Sequence, residues 1–449
     1  MQNNTAMTNQ TTPNGTRCMS LQEKAARIIP GMTQLLSKRP DRYSRGVWPT
    51  YFVKAKGASV TDADGREYLD FSICGIGATA LGYADDDVNA AVAKVVADGT
   101  ATTLNPPEEV ALAEKLIELH PWAEQVRFAR GGGEAMSVAV RIARAATGKD
   151  TIVFCGYHGW FDWYLAANLG RKGALDGHWI SGLDPNGVPR GLSGTVIPFR
   201  YNDIGDLAQA IEQAGDDLAA IVMEPIRNHE PTPEFIDAVH AAARSRNVPL
   251  VLDEITAAFR ICNGGAHLKL GFKPDMAVFA KALGNGYPIS AVIGKRRFME
   301  AAQKAFITST AWTERIGPTA ALATIEKFVR VDASSHMVAI ADRVWHIWEA
   351  AAAKHGLAIE IGGFKPLIHF TFAEEHSVRV AFFTQEMLKR GFLASGGFYA
   401  MYAHTFEQVE RYAAAVDEVF AALAALVAKG DVASHLEGEP AASGFGRLN

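Results

Sequence analysis

Lys281 closes an apolar run at 276–280 and precedes the turn Ala-Leu-Gly-Asn-Gly. A lysine at the end of a buried strand is costly unless its amine is used: desolvation lowers the pKa and favours the neutral nucleophile that adds to carbonyls. The plain alternative is a side chain that snorkels to the surface. Asp253 follows a second apolar run, at 248–252. A carboxylate there needs a partner to offset its lost hydration, either a protonated ring nitrogen or a guanidinium such as Arg260. The 28 residues from Asp253 to Lys281 make one strand–helix–strand step, so both side chains can reach one cleft.

Further groups follow other apolar runs. Arg130-Gly131-Gly132-Gly133-Glu134-Ala135 follows a strand ending at Phe128 and opens a helix that runs to Thr147 and stops at Gly148. Successive glycines before a helix let backbone N–H groups converge on an anion at the positive end of the helix dipole, although a tight turn explains them equally well. Tyr157-His158-Gly159-Trp160 follows Cys155, and an aromatic there either stacks on a flat heteroaromatic ring or packs in the core. Thr310 offers a hydroxyl for a phosphate, and Glu224, after Met223, a carboxylate behind the cofactor. A phosphate cup, a stacking aromatic, a carboxylate for a cationic ring nitrogen and a strand-end lysine are together the parts that hold pyridoxal 5'-phosphate (PLP).

For the acidic group of a substrate, Lys38, Arg39, Arg130 and Arg260 are candidate clamps, with arginine the better fork for a carboxylate. Trp160 and Trp163 wall the pocket or pack in the core. His158 either touches the cofactor or is a satisfied structural histidine.

The elements that must position these groups are read from periodicity. Apolar runs at 125–128, 151–155, 219–223, 248–252 and 277–280 alternate with helical stretches, the signature of a mainly parallel sheet covered on both faces. In such a sheet ligands sit beyond the carboxyl ends of the strands. The expected fold is α/β, a large mainly parallel-sheet domain with a smaller C-terminal α+β domain. Expected divisions are a flexible leader and N-terminal β segment (1–75), with a hairpin turn at 62–65, a cofactor domain (76–318), and a C-terminal unit ending in a flexible tail (319–449). In that last unit a helix starts at Thr405 with a Thr-x-x-Gln capping box and buries Val409, Tyr412, Val416, Val419, Phe420 and Leu423.

The 449 residues are 48% hydrophobic and 21% charged with a net charge of −5, which excludes a wholly disordered or highly basic chain. That balance gives no electrostatic case for nucleic acid or anionic membrane as main partner. No apolar stretch is long enough to span a bilayer, and Cys18, Cys74, Cys155 and Cys262 fit neither a disulfide framework nor a metal site. A cytoplasmic setting is expected.

The motifs Tyr157-His158-Gly159, Leu252-Asp253-Glu254-Ile255 with Phe259-Arg260, and Lys281 followed by Gly284-Asn285-Gly286-Tyr287-Pro288 carry a resemblance across nearly the whole chain. It resembles the fold-type I PLP enzymes of aminotransferase class III, in the glutamate-1-semialdehyde 2,1-aminomutase-like branch. The resemblance implies that Lys281 forms the Schiff base, Asp253 pairs with the pyridinium nitrogen, Tyr157 stacks on one ring face and Ile255 packs on the other. It also implies that Gly132 and Gly133 bind the phosphate through their amides, and that Thr310 reaches it from the neighbouring subunit of a homodimer with shared sites. Three departures stand out, one of them the replacement of the usual Gly-Gly-Asn-Pro after Thr310 by Trp312-Thr313-Glu314-Arg315. The family's usual Asn-Ser-Gly-Thr-Glu-Ala is Arg130–Ala135 here, and the aminomutase's acidic loop has no counterpart around Gly396-Gly397-Phe398-Tyr399. The expected activity is transamination between a small amino donor and an oxo acid or aldehyde acceptor. Aminomutase or epimerase chemistry, a lyase or decarboxylase, and a non-catalytic α/β protein are the alternatives.

Overall fold

The structure, a computed structural model, describes residues 16–178, 181–442 and 444. Most of the leader, at 1–15, and the last part of the tail, at 445–449, lie outside the described residues. In chain order the strands are β1 (Phe52–Lys56), β2 (Ser59–Asp62), β3 (Glu67–Phe71), β4 (Gln125–Ala129), β5 (Thr151–Cys155), β6 (Val196–Pro198), β7 (Leu218–Met223), β8 (Leu250–Asp253), β9 (Met276–Phe279), β10 (Ser290–Gly294), β11 (Ile359–Phe364), β12 (Leu367–Phe372), β13 (Phe392–Ala394) and β14 (Gly397–Tyr399).

Seven strands form the large sheet, in the order β4-β10-β9-β8-β7-β5-β6. From β9 to β6 all neighbours are parallel, whereas β10 lies antiparallel to both β4 and β9. Successive side chains point to opposite faces of a strand. Accordingly Val153, Ile221, Leu252 and Ala277 enter one core, while Ile152, Phe154, Val222, Val251 and Val278 enter the other. Helices cover both faces, and so the central strands read as unbroken apolar runs. Neither β6 nor β10 is foreseen from the sequence: β6 is three residues long, and β10 has an apolar stretch of only three residues, Ala291–Val292–Ile293, framed by serine and glycine.

The helix Gly132–Thr147 takes the bounds expected of it, closed at its C-terminus by Gly148 in a left-handed conformation with φ 67°. The C-terminal helix Phe406–Val427 starts at Thr405 with the capping box formed and buries the predicted stripe. An antiparallel sheet, β11-β12-β14, packs beside it. The hairpin at 62–65 is one turn of a larger unit, because β3 pairs in parallel with β13 in a four-stranded sheet β1-β2-β3-β13. The N-terminal strands and the C-terminal unit, separate in the sequence reading, therefore share one sheet. Residues after Gly430, read as a flexible tail, fold back on the N-terminal segment: the amide of Glu439 donates to the Arg45 carbonyl (2.9 Å) and that of Ala442 to the Asp41 carbonyl (2.7 Å). Among the described residues no helix is long and apolar enough to cross a membrane.

Candidate active site

In strand order β9, β8, β7 and β5 are neighbours, and about 4.8 Å separates adjacent strands. Lys281, Asp253, Glu224 and Tyr157 leave the carboxyl ends of those four strands side by side, which is where an open parallel sheet holds its ligands. Residues spread over 125 positions of sequence thus become one row.

Asp253 is buried, and its Oδ2 lies 2.8 Å from Nδ1 of the buried His158. Nε2 of His158 lies 3.1 Å from the Cys155 carbonyl, which can only accept, so Nε2 carries a proton. Nδ1 and Oδ2 then need a proton between them to be compatible. Oδ1 accepts from the Ile255 amide at 3.1 Å. Asp253 is therefore a fixed carboxylate whose partner is His158; the ion pair with Arg260 weighed from the sequence does not form.

Lys281 is half-buried and stands at φ 49°, a backbone conformation that lysine rarely adopts. Its Nζ donates to Thr256 Oγ1 at 2.8 Å. Burial, and then the nearby Arg227 guanidinium, push its pKa down to about 8, against the pull of Glu224 and Asp253. This is the electrostatic setting of a nucleophilic amine.

The glycine turn packs closely on its neighbours. A Cβ on Gly132 would stand 3.0 Å from Ile255 Cδ1, and one on Gly133 3.3 Å from the Phe161 ring. Gly159, at φ 99°, faces Gly133 so closely that a Cβ there would lie 2.9 Å from the Gly133 Cα. Glu134 turns back to accept from the amides of Arg130 (2.9 Å) and Gly131 (3.1 Å). The next amides, at Gly132 and Gly133, are first-turn donors with no intrahelical acceptor, at the positive end of a 16-residue helix.

Tyr157 is half-buried; its amide donates to Glu224 Oε2 (3.0 Å), and its ring meets Tyr164 edge-on. The same Glu224 oxygen accepts from Arg227 Nη1 at 2.7 Å, so Glu224 supports the Tyr157 backbone. Ile255 is half-buried beside Gly132. Thr310 is exposed at the start of a short 3₁₀ turn.

The proposed substrate clamps fare differently. Arg39 is buried with its fork taken by Asp41, Nε to Oδ1 at 3.0 Å and Nη2 to Oδ2 at 2.6 Å. Arg130 braces the loop after Thr310 by donating to the carbonyls of Trp312 (3.0 Å) and Glu314 (2.9 Å) and pairing with the Glu314 carboxylate. Both cations thus serve the local fold. Arg260 is fully buried, donating to the carbonyls of Gly77 and Thr256, and burial lowers its pKa to about 10. Trp160 is 69% exposed and stacks on Phe161, while Trp163 is buried beside His158.

Thr256, which holds Nζ of Lys281, and Arg227 escaped the sequence reading. The spacing of Glu224 and Arg227, three apart after a strand end, was the available signal for the second. A separate network lies directly behind the site: Glu254 Oε1 accepts from Nδ1 of His267 (2.7 Å), and Nε2 of His267 accepts from the Trp122 indole (3.0 Å). Glu254 also accepts the amides of Ala266 and His267, both at 2.9 Å, and so pins the loop beyond Arg260.

The residues present fit PLP: a strand-end amine of lowered pKa, a buried carboxylate with an imidazole behind it, a half-buried aromatic ring at the next strand end but one, and a side-chain-free cradle at a helix start. Residues 42–396 match the family described as aminotransferase class-III. The chain is 32% identical to a 3-aminobutyryl-CoA aminotransferase of Cloacimonas acidaminovorans over 90% of this chain and 97% of that one. It is 33% identical to a glutamate-1-semialdehyde 2,1-aminomutase of Dechloromonas aromatica over 80% and 84% of the two chains. The solved structure of the FumI protein of Sphingopyxis sp. MTA144, in its PLP form, superposes with a TM-score of 0.84 at 26% identity, covering 95% of this chain and 99% of that one.

Proposed function

Since the chain belongs to the aminotransferase class-III family, and is thereby a PLP-dependent aminotransferase of fold type I, we propose that Lys281, Asp253 and Tyr157 are its catalytic residues. Lys281 would hold the cofactor covalently. Asp253, backed by His158, would face the ring nitrogen and keep it protonated. Tyr157 and Ile255 would sandwich the ring, and the amides of Gly132 and Gly133 would take the phosphate. When bound, PLP would supply an electron sink at the reacting substrate carbon. The Lys281 amine, its pKa lowered, would serve as general base and acid that moves a proton at the substrate carbon. Thr256 Oγ1 holds that amine at the site while it waits.

One observation carries this reading: the low-pKa amine of Lys281 stands next in the row to the buried Asp253–His158 pair. The test is a single half-reaction. An amino donor must convert the enzyme's cofactor to pyridoxamine phosphate and release an oxo product. Retention of the product until it is re-aminated would favour the aminomutase outcome, which the 33% identical relative keeps open, and release of carbon dioxide or an eliminated group the lyase.

A homodimer with shared sites is part of the proposal. Leu104, Val110 and Phe306 are exposed, and Val110 lines a cavity of about 530 Å³ together with residues of 105–113, 126–128 and 308–313, next in sequence to Thr310. A second copy covering this face would bury them and bring its own Thr310 to the opposite site. Division into a cofactor domain and a C-terminal unit is likewise proposed. Four free thiols, three of them buried, favour a reducing, cytoplasmic setting.

A further inference from the structure

Arg227 stands where two parts of the fold meet. Its guanidinium lies over the Tyr157 ring, 5.8 Å from the centroid. Lys281 lies within its field on the large-sheet side, as do Tyr399 of β14 and His369 of β12 on the other. The side chain is 26% exposed, and its single ion pair, to Glu224, uses Nη1. For Nε and Nη2 no acceptor occurs among the described residues, although these form the planar edge that matches the two oxygens of a carboxylate.

The surrounding charges point the same way. Glu224 shares the oxygen that binds Arg227 with the Tyr157 amide. Asp253 is occupied by His158 and the Ile255 amide. Arg260, with only carbonyl acceptors, has no carboxylate within ion-pair distance among the described residues. Two guanidiniums therefore act on the Lys281 amine while both nearby carboxylates are engaged.

We propose that Arg227 is the specificity-determining residue of the pocket, binding a carboxylate on the amino or oxo substrate through its Nε–Nη2 edge, with Arg260 as fixed background charge. The substrate class is a compound with an acidic group at the end away from the reacting carbon. This rests on the reading of the Lys281 row as a PLP site. Glu224 anchors the arginine over Tyr157, so the fork is presented before the substrate arrives.

The test uses the holoenzyme and two aldehyde acceptors of similar length, succinic semialdehyde and pentanal, together with glutarate, an unreactive diacid whose binding is followed by calorimetry. Arg227→Gln should raise KM for succinic semialdehyde about 10- to 100-fold more than KM for pentanal, with a much smaller difference in kcat, and should abolish glutarate binding. Arg227→Lys, which keeps a cation beside Glu224 but lacks the fork, should recover part of both. Equal losses for the two aldehydes, or unchanged glutarate binding, would overturn the proposal. If neither aldehyde is aminated by the unaltered enzyme while glutarate still binds in an Arg227-dependent way, the reaction reading fails and the cationic pocket stands. Turnover of both aldehydes with glutarate ignored gives the reverse.

Discussion

Nδ1 of His158 and Oδ2 of Asp253 meet at 2.8 Å in a buried pocket, and the Cys155 carbonyl behind the imidazole fixes which nitrogen faces the carboxylate. The arrangement gives the buried carboxylate at the end of β8 a hydrogen-bonding partner in place of its lost hydration. Asp253→Asn should lower kcat/KM at least about 100-fold, because an amide cannot hold a proton on the ring nitrogen. His158→Gln, which keeps the Asp253 side chain and its Ile255 amide contact but removes the imidazole partner, should cost about 10-fold. Steady-state kinetics with one donor check both; equal losses in the two variants would contradict the division of roles.

The pH dependence follows from Lys281. Its pKa is lowered from the ordinary 10.5 to about 8, so at pH 7.5 roughly a quarter of the cofactor-free protein would carry the neutral amine, against about a thousandth for an ordinary lysine. Capture of PLP by apoenzyme should quicken with pH through a midpoint near 8 and then level off. Between pH 8 and the ordinary value the unfolded chain binds more protons than the folded one. The contribution of this group to stability therefore rises with pH across that window. A capture rate still climbing at pH 10 would contradict the geometry.

Thr256→Val removes the acceptor of Nζ. An ammonium loses more than a neutral amine does, so the capture midpoint should move lower still, by about one pH unit for a charged hydrogen bond of ~1.5 kcal/mol. Stopped-flow absorbance across pH measures it, and a midpoint displaced upwards would assign the hydroxyl another role.

Close packing makes the glycines separable. Gly132→Ala meets only the Ile255 side chain, Cδ1 at 3.0 Å and Cγ2 at 3.2 Å, and no backbone atom, so the chain should fold while its affinity for PLP falls about 10-fold. Gly159→Ala meets the Gly133 backbone at 2.9 Å with φ at 99° and should destabilise the fold by about 1–3 kcal/mol. Thermal denaturation of the apoenzymes and cofactor titration distinguish the two.

Much of this site is legible in the sequence because each strand end carries a local signal. An apolar run stops at an ionisable or aromatic residue, and the order of elements then implies one cleft. The helix Gly132–Thr147 is legible because glycine marks both of its ends, and the one after Thr405 because its capping box is local. What escapes depends on the crossing of strands. The insertion of antiparallel β10 between β4 and β9, and the pairing of β3 with β13, join distant segments without a local mark. Thr256 is unremarkable in its own stretch and Arg227 is marked only by its spacing from Glu224; both become neighbours of Lys281 only when β7, β8 and β9 lie side by side. Arg39 shows the converse: Asp41, two residues away, was a visible competitor for its fork.

The central claim is that Lys281 carries the cofactor. Borohydride reduction of the holoenzyme followed by peptide mass analysis should place the phosphopyridoxyl group on Lys281. Lys281→Ala should fold, lack the band at about 410–430 nm expected of a lysine-bound cofactor, and transfer no amino group. A label on another lysine, or a Lys281→Ala protein that keeps both the band and the activity, would contradict it.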